Sequence, residues 1–297
     1  MDPLHVPALQ KYTVGEAIVT RLPEIVFHDF DAAFLFPQWS AQAIAPHLAW
    51  LQPDCLDAAR TGLTVSVNSW IVQSGRLTVV VDTGIGNGRV RRIPLFHQLD
   101  TPYLQRLAAA GIDLAQVTHV LSTHLHSDHV GWNTRWHEGR WQPTFPNARY
   151  LFPEAELRYA QSDAFRREDA VGVYEDSIEP VLAAGLVDLV DAAGGEVLEG
   201  FRHLPTPGHT PGHMSIELSS GGQCAIFTGD VMHNPLQVWL PHWNSAFCRE
   251  QEQARVSRRR LLERAADADV LLFTAHFPRT AAGRVVRQGA GFAWQFA

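Results

Sequence analysis

The stretch STHLHSDHVGW (Ser122–Trp132) places three histidines and an aspartate within six consecutive positions, directly after the apolar run QVTHVL. If that run is a strand, its extended continuation puts the imidazoles of His124 and His126 on one side. Asp128 and His129 follow at a turn and face a neighbouring point. One loop thus starts two adjacent metal sites. Imidazole nitrogen and carboxylate oxygen suit zinc, with manganese, iron and cobalt as alternatives. Two coordination shells need more ligands than one loop can give, so the fold must deliver others. Three stand at the ends of apolar runs: His209 in TPGHTPGH, Asp230 closing CAIFTGD and His276 closing VLLFTAHF. A polar residue at the close of a buried strand is where a rigid scaffold presents a site. Histidines scattered through polar turns would not fall after strands four times in order.

The rest of the chain supplies such strands. LTVSVNSWIV and RLTVVVDTG read as β-runs separated by the turn QSGR. TPYLQRLAAAGI is expected to be a helix, with Thr101 as cap, Pro102 at its first position and Gly111 at its end. Strand-then-helix patterns recur through FPNARYLFPEAELRYAQ and SIEPVLAAGLVDLV. REQEQARVSRRRLLERAADAD is a helix with Ala254, Leu261, Leu262 and Ala265 facing a core, and Arg258–Arg260 read as a solvated face. Strands alternate with helices and no repeat or low-complexity linker intervenes, so a layered α/β domain is expected. Residues 1–60, rich in proline and aromatics, are hard to parse beyond a short helix in SAQAIAPHLAWL.

Composition excludes some functions. Lys and Arg total 24 against 31 Asp and Glu, a formal charge of −7, which disfavours nucleic acid as partner. Three separated cysteines (Cys55, Cys224, Cys248) form no disulfide framework. Neither a leader pattern nor a membrane-length apolar run is visible, so a cytoplasmic location away from membranes is expected.

The ordered set HLHSDH, TPGHTPGH, FTGD and TAHFP, with VVVDTG upstream, resembles the metallo-β-lactamase-fold hydrolases from about Asn68 onward. The resemblance implies an αββα four-layer sandwich spanning 1–297, with residues 1–60 as an N-terminal extension packed on it or on a partner subunit. It implies two divalent ions, with zinc leading. His124, His126 and His209 would bind one, Asp128, His129 and His276 the other, and Asp230 would bridge them. His213 is read as structural, and Asp82 as a support that orients the histidine loop without binding metal. The implied reaction is hydrolysis by a metal-bridging hydroxide, with Asp128, Asp230 and His233 as catalytic candidates.

Subfamily patterns narrow the substrate. The short segment after His276 leaves no room for the helical substrate domain of glyoxalase II-type thioester hydrolases. A bridging aspartate and no export leader count against true β-lactamases. A histidine at 126, where oxygen-reducing diiron relatives carry a carboxylate, disfavours redox iron. Lactonases and organophosphate triesterases resembling methyl parathion hydrolase remain. Lactonases often carry tyrosine three residues after the bridging aspartate, where this chain has His233. That residue is either a hydrogen-bond donor to substrate or a satisfied turn histidine. Trp132, Trp239, Trp243 and Phe247 follow ligand motifs and are candidates for an aromatic pocket taking a neutral hydrophobic lactone, carboxyl ester or phosphotriester. PLFHQL is a candidate flap, and DAAFLFPQW a candidate homodimer surface. The rival readings are β-lactam or thioester hydrolysis at the same site, and a non-catalytic metal-binding sensor.

Overall fold

The runs QKYTV, LTVSVNSWIV and LTVVV lie side by side in the computed structural model, which describes residues 8–167 and 172–297. The first sheet holds β1 (Gln10–Val14), β2 (Ala17–Asp31), β3 (Gly62–Ser74), β4 (Leu77–Val81) and β5 (His119–Leu121). A separate hairpin, β6 (Thr134–His137) and β7 (Arg140–Pro143), precedes its last two strands, β8 (Arg149–Pro153) and β9 (Val187–Val190). The second sheet runs in chain order through β10 (Gly195–Leu198), β11 (Phe201–Pro205), β12 (Met214–Ser220), β13 (Gln223–Phe227), β14 (Leu271–Phe273), β15 (Ala282–Gln288) and β16 (Gly291–Phe296). Pairing is parallel from β4 to β9 and between β13 and β14, and antiparallel elsewhere.

Alternation along the strands builds the layers. Val79 and Val81 of β4, Leu121 of β5 and Leu151 of β8 point into a core shared with Phe201, Ile216 and Phe227 of the second sheet. The intervening Val80, Val120, Tyr150 and Phe152 point outward onto helices that carry Leu107, Leu157 and Val181. On the far side, Ile226, Leu272, Val285 and Trp294 meet Leu261, Leu262 and Ala265 of helix Gln251–Asp267. Central strands are therefore buried on both faces, which explains their unbroken apolar composition. The result is the expected αββα four-layer sandwich.

Three expectations change. Residues 10–31 are not an extension: β1 and β2 are strands of the first sheet, and short helices between Ala32 and Leu51 pack on Leu56, Leu63 and Leu236. Residues 1–7 lie outside the described part. Thr101 does not cap its helix, because its hydroxyl donates to the buried Glu24 carboxylate at 3.1 Å; Pro102 holds the cap position instead. Arg258 is buried and not solvated, with its guanidinium donating to the carbonyls of Val231, Pro241 and Trp243 at 2.7–2.9 Å, while Arg259 and Arg260 are exposed. No helix among the described residues is long and apolar enough to cross a membrane.

Candidate metal centre

Every proposed ligand follows a strand end on one edge of the sandwich. The segment His124–His129 leaves β5, His209 follows β11, Asp230 follows β13 and His276 follows β14. The turn before Asp230 requires glycine: Gly229 sits at φ +52°, and a Cβ there would lie 2.6 Å from His213 Nε2 and 2.8 Å from Thr123. His276 is fixed from the other sheet, since its Nδ1 donates to the Ser66 carbonyl at 3.0 Å.

The seven side chains converge, and Asp230 divides them into two groups. Its Oδ1 lies 3.1 Å from His129 Nε2 and 2.9 Å from His276 Nε2. Its Oδ2 faces His209 Nε2 at 3.3 Å and His124 Nε2 at 3.9 Å. Asp128 Oδ2 is 3.6 Å from His276 Nε2 and 3.8 Å from His129 Nε2, on the Oδ1 side. His126 Nδ1 meets His209 Nε2 at 2.9 Å, on the Oδ2 side. Ligand atoms of His124, His126 and His209 thus cluster, as do those of Asp128, His129 and His276.

Supporting contacts orient the rings. Asp82 accepts the Thr123 N–H, the Thr123 hydroxyl and His129 Nδ1–H, each at 2.8 Å. Thr123 Oγ1 in turn lies 3.1 Å from His124 Nδ1, so one carboxylate holds two histidines with Nε2 turned inward. His213 lies beneath Asp230 and outside the ligand set: its Nε2 accepts the Asp230 N–H at 2.9 Å and its Nδ1 pairs with Thr206 Oγ1 at 2.9 Å.

The electrostatics suit cations. Burial holds His124 and His209 far below the ordinary histidine range, lowers His126 to about 4 and His213 to about 3, so these rings are neutral with free lone pairs. Burial also pulls His129 and His276 down, but the Asp230 and Asp128 carboxylates outweigh it and raise both. Asp230 is desolvated too, yet the surrounding imidazoles, His276 foremost, keep it well below the usual carboxylate range. His124 Nε2, His129 Nε2 and Asp230 Oδ1 are buried without a well-formed hydrogen bond. Buried polar atoms rarely stay unsatisfied, and convergent lone pairs repel unless a cation lies between them. The donor set therefore fits divalent cations.

His233 stands beside this centre, its Nε2 3.1 Å from Asp230 Oδ2 and 3.5 Å from Ser245 Oγ. Above it opens a cavity of about 990 Å³ whose floor includes His126, Asp128, His209, Asp230, His233 and His276. Phe247 lines it, as anticipated. Trp132, Trp239 and Trp243 do not. Trp132 is buried against Tyr103 and donates from Nε1 to Glu24 at 2.7 Å. Trp239 packs on Trp50, and Trp243 on Phe36 and Trp39. The wall is built instead mainly from Phe27 and Phe30 of β2, Phe34 and Leu35 of the next helix, Val65 and Val67 of β3, Ile93–Phe96 and Phe165, with the charged side chains of Asp29, Asp31, Arg92 and Arg249 also bordering the cavity. The segment DAAFLFPQW is thus used within the chain, and residues 94–96 of PLFHQL border the cavity. The dense phenylalanines of VFHDFDAAFLF were the available signal for this wall.

With fold and site described, the comparisons with known proteins fall into place. Residues 62–276 match the metallo-beta-lactamase superfamily, and the chain belongs to it. A Mycobacterium tuberculosis protein named "probable metallo-hydrolase" is 26% identical over 73% of this chain and 76% of its own length. The N-acyl homoserine lactonase AttM of Azorhizobium caulinodans is 32% identical over 49% of this chain and 51% of its own. The chain spans 61% of the length of YobT from Bacillus subtilis, at 24% identity. Among solved structures, the hydrolase AbOPH superposes with TM-score 0.81 at 22% identity, covering 99% of this chain and 98% of that one. The dizinc quorum-quenching lactonase AidC superposes with TM-score 0.79 at 22% identity, covering 100% and 99%. These likenesses show the fold, and the named relatives set the chain among metal-dependent hydrolases.

Proposed function

We propose that this chain is a binuclear metal-dependent hydrolase of neutral, apolar lactones or carboxyl esters, with organophosphate triesters as a further substrate class. One observation carries the reading: Asp230 presents its two oxygens to two separate ligand groups at the floor of a cavity walled by phenylalanines. The lactonase names of AttM and AidC support the lactone over other esters.

Two divalent ions held there would acidify a water and polarise the oxygen under attack. The chain's own residues do the rest. His124, His126 and His209 would hold one ion, and Asp128, His129 and His276 the other, with Asp230 between them. Asp82 keeps His129 and His124 in the tautomer that leaves Nε2 unprotonated toward the centre. The His233 ring, buried and facing the cavity, is placed to donate a hydrogen bond to substrate or leaving group. Phenylalanines on the wall exclude water and take the apolar part of the substrate.

The test is metal analysis combined with a panel of lactone, aryl ester, phosphotriester, thioester and cephalosporin substrates. Two ions per chain with lactone or ester turnover foremost is the expected result. Preference for thioester or cephalosporin would transfer the assignment to that class. Two bound ions with no turnover of any member would point to a metal-binding sensor.

A further inference from the structure

Between the loops that carry His124, His126 and His209 lies a buried carboxylate that the ligand set does not use. Glu156, in the first turn of helix Glu154–Ala160, is fully buried. Its Oε2 accepts the Leu125 N–H at 3.2 Å, and its Oε1 accepts the Gly212 N–H at 2.8 Å. Leu125 separates His124 from His126, and Gly212 lies in the turn that His209 opens. One side chain therefore ties both loops by their backbones.

The approach of these loops to the helix is close. A Cβ at position 212 would lie 2.7 Å from both Ala155 Cβ and the Glu156 backbone nitrogen, so only glycine lets the turn come within reach. Burial pushes the Glu156 carboxyl above its ordinary range, with the Thr210 side chain and then the two backbone N–H groups acting against that shift. Packing alone does not call for an acid here, because Leu157, Tyr159 and Ala160 already seat the helix on the core. Its geometry complements that of Asp82, whose hydrogen bonds hold Thr123 and His129.

We infer that Glu156 is a positioning residue for the ion site formed by His124, His126 and His209, setting the spacing of the two loops that deliver these imidazoles. The inference rests on the two-ion reading above. His129 and His276 have their own supports in Asp82 and the Ser66 carbonyl, so a shift at Leu125 or Gly212 should act mainly on His126 and His209, now 2.9 Å apart.

The experiment is stepwise cobalt(II) titration of full-length wild type, Glu156→Gln and His126→Ala, with a chromophoric chelator as competitor and the visible spectrum as readout. Glutamine keeps the shape but turns an amino group toward one of the two N–H donors. One of the two ions should bind about 10- to 100-fold more weakly in Glu156→Gln, the usual cost of losing a ligand's support. The residual cobalt spectrum should match that of His126→Ala, which removes the same site directly. Melting of the metal-free proteins is followed separately. Wild-type affinity at both sites would overturn the inference, as would equal weakening of both or a loss confined to melting temperature. If Glu156→Gln does not fold, Glu156→Asp is titrated in the same way, where the same one-sided loss supports the inference and unchanged sites refute it. Fewer than two ions in wild type would overturn the two-ion reading and the inference with it, and is recognised without any variant.

Discussion

Asp82, Thr123 and His129 are joined by contacts of 2.8 Å, whereas Phe34 and Phe247, across the same cavity, meet only as ring edges with centroids 5.8 Å apart. The floor of the cavity is a hydrogen-bonded network anchored on strand ends buried on both faces. The wall is mostly apolar surface from β2, a short helix and two loops, with Asp29, Asp31, Arg92 and Arg249 among it. A directional network loses much when one member is removed, because the remaining polar atoms are left buried and unpaired. Apolar contacts fail gradually, in proportion to area. Substitutions in the floor should therefore act on metal and on chemistry, and those in the wall on substrate alone.

The sharpest break is Asp230→Ala. Both ligand groups lose their shared oxygens, so metal content should fall from two ions toward none. Activity should drop by well over about 100-fold, the upper end for residues that only support ligands. Elemental analysis of the purified variant checks this, and two retained ions would refute the bridge. Asp82→Ala comes next. With His129 and Thr123 released, metal affinity should fall about 10- to 100-fold while the second sheet stays intact. Chelator competition measures it, and unchanged affinity would mean that His129 is held by its backbone alone.

The same contrast explains what the sequence could tell. Ligands after strand ends were legible because each stands in a short His/Asp motif next to a largely apolar run, so His209, Asp230 and His276 stood out. A layered α/β domain followed from alternating strand and helix runs such as VVV at 79–81, whose alternate members face opposite cores, while the αββα order was implied by the family resemblance. Wall residues carry a weaker mark, the dense phenylalanines of VFHDFDAAFLF, which says nothing of where they point. Trp132, Trp239 and Trp243 follow ligand motifs in sequence, yet their indoles turn into neighbouring cores. Phe27 and Phe34 lie far ahead of the first ligand in sequence, on β2 and on the helix after it, and β2 carries two register shifts, between Pro23 and Ile25 and between Phe27 and Phe30, that an alternation pattern does not reveal. Arg258 was misread for a related reason: three carbonyls in the loop after Asp230 accept from it, and a helix pattern does not reveal them.

The sheets that carry the floor should also respond to acid. His203 on β11 is fully buried between the sheets, its Nε2 3.4 Å from the Ser122 carbonyl, and burial pushes it down to about 4. Its folded value is therefore depressed below the ordinary histidine value. Between pH 6.5 and about 4 the unfolded chain takes up a proton that the folded chain refuses, so stability falls as pH falls. The cost by the lower end is roughly 3 kcal/mol for a shift of this size. Urea unfolding of metal-free wild type and His203→Gln across that window reads it as a difference in slope. Equal slopes would show that another group carries the acid sensitivity.

The wall should give the smallest effect and the most selective one. Phe34 is 56% exposed at the rim and leans on Phe247, whose ring stacks on His233 at 6.1 Å. Removing the Phe34 ring leaves the floor untouched and deletes part of the surface that an apolar chain would cover. Given its exposure, about 1 kcal/mol of that contact is at stake. Phe34→Ala should therefore raise KM for long-chain lactones or esters roughly fivefold, leaving kcat and the metal content unchanged. Short-chain substrates, which do not reach the rim, should show no change. A fall in kcat with short and long chains alike would mean that the wall also orders the floor, and the division between the two regions would not hold.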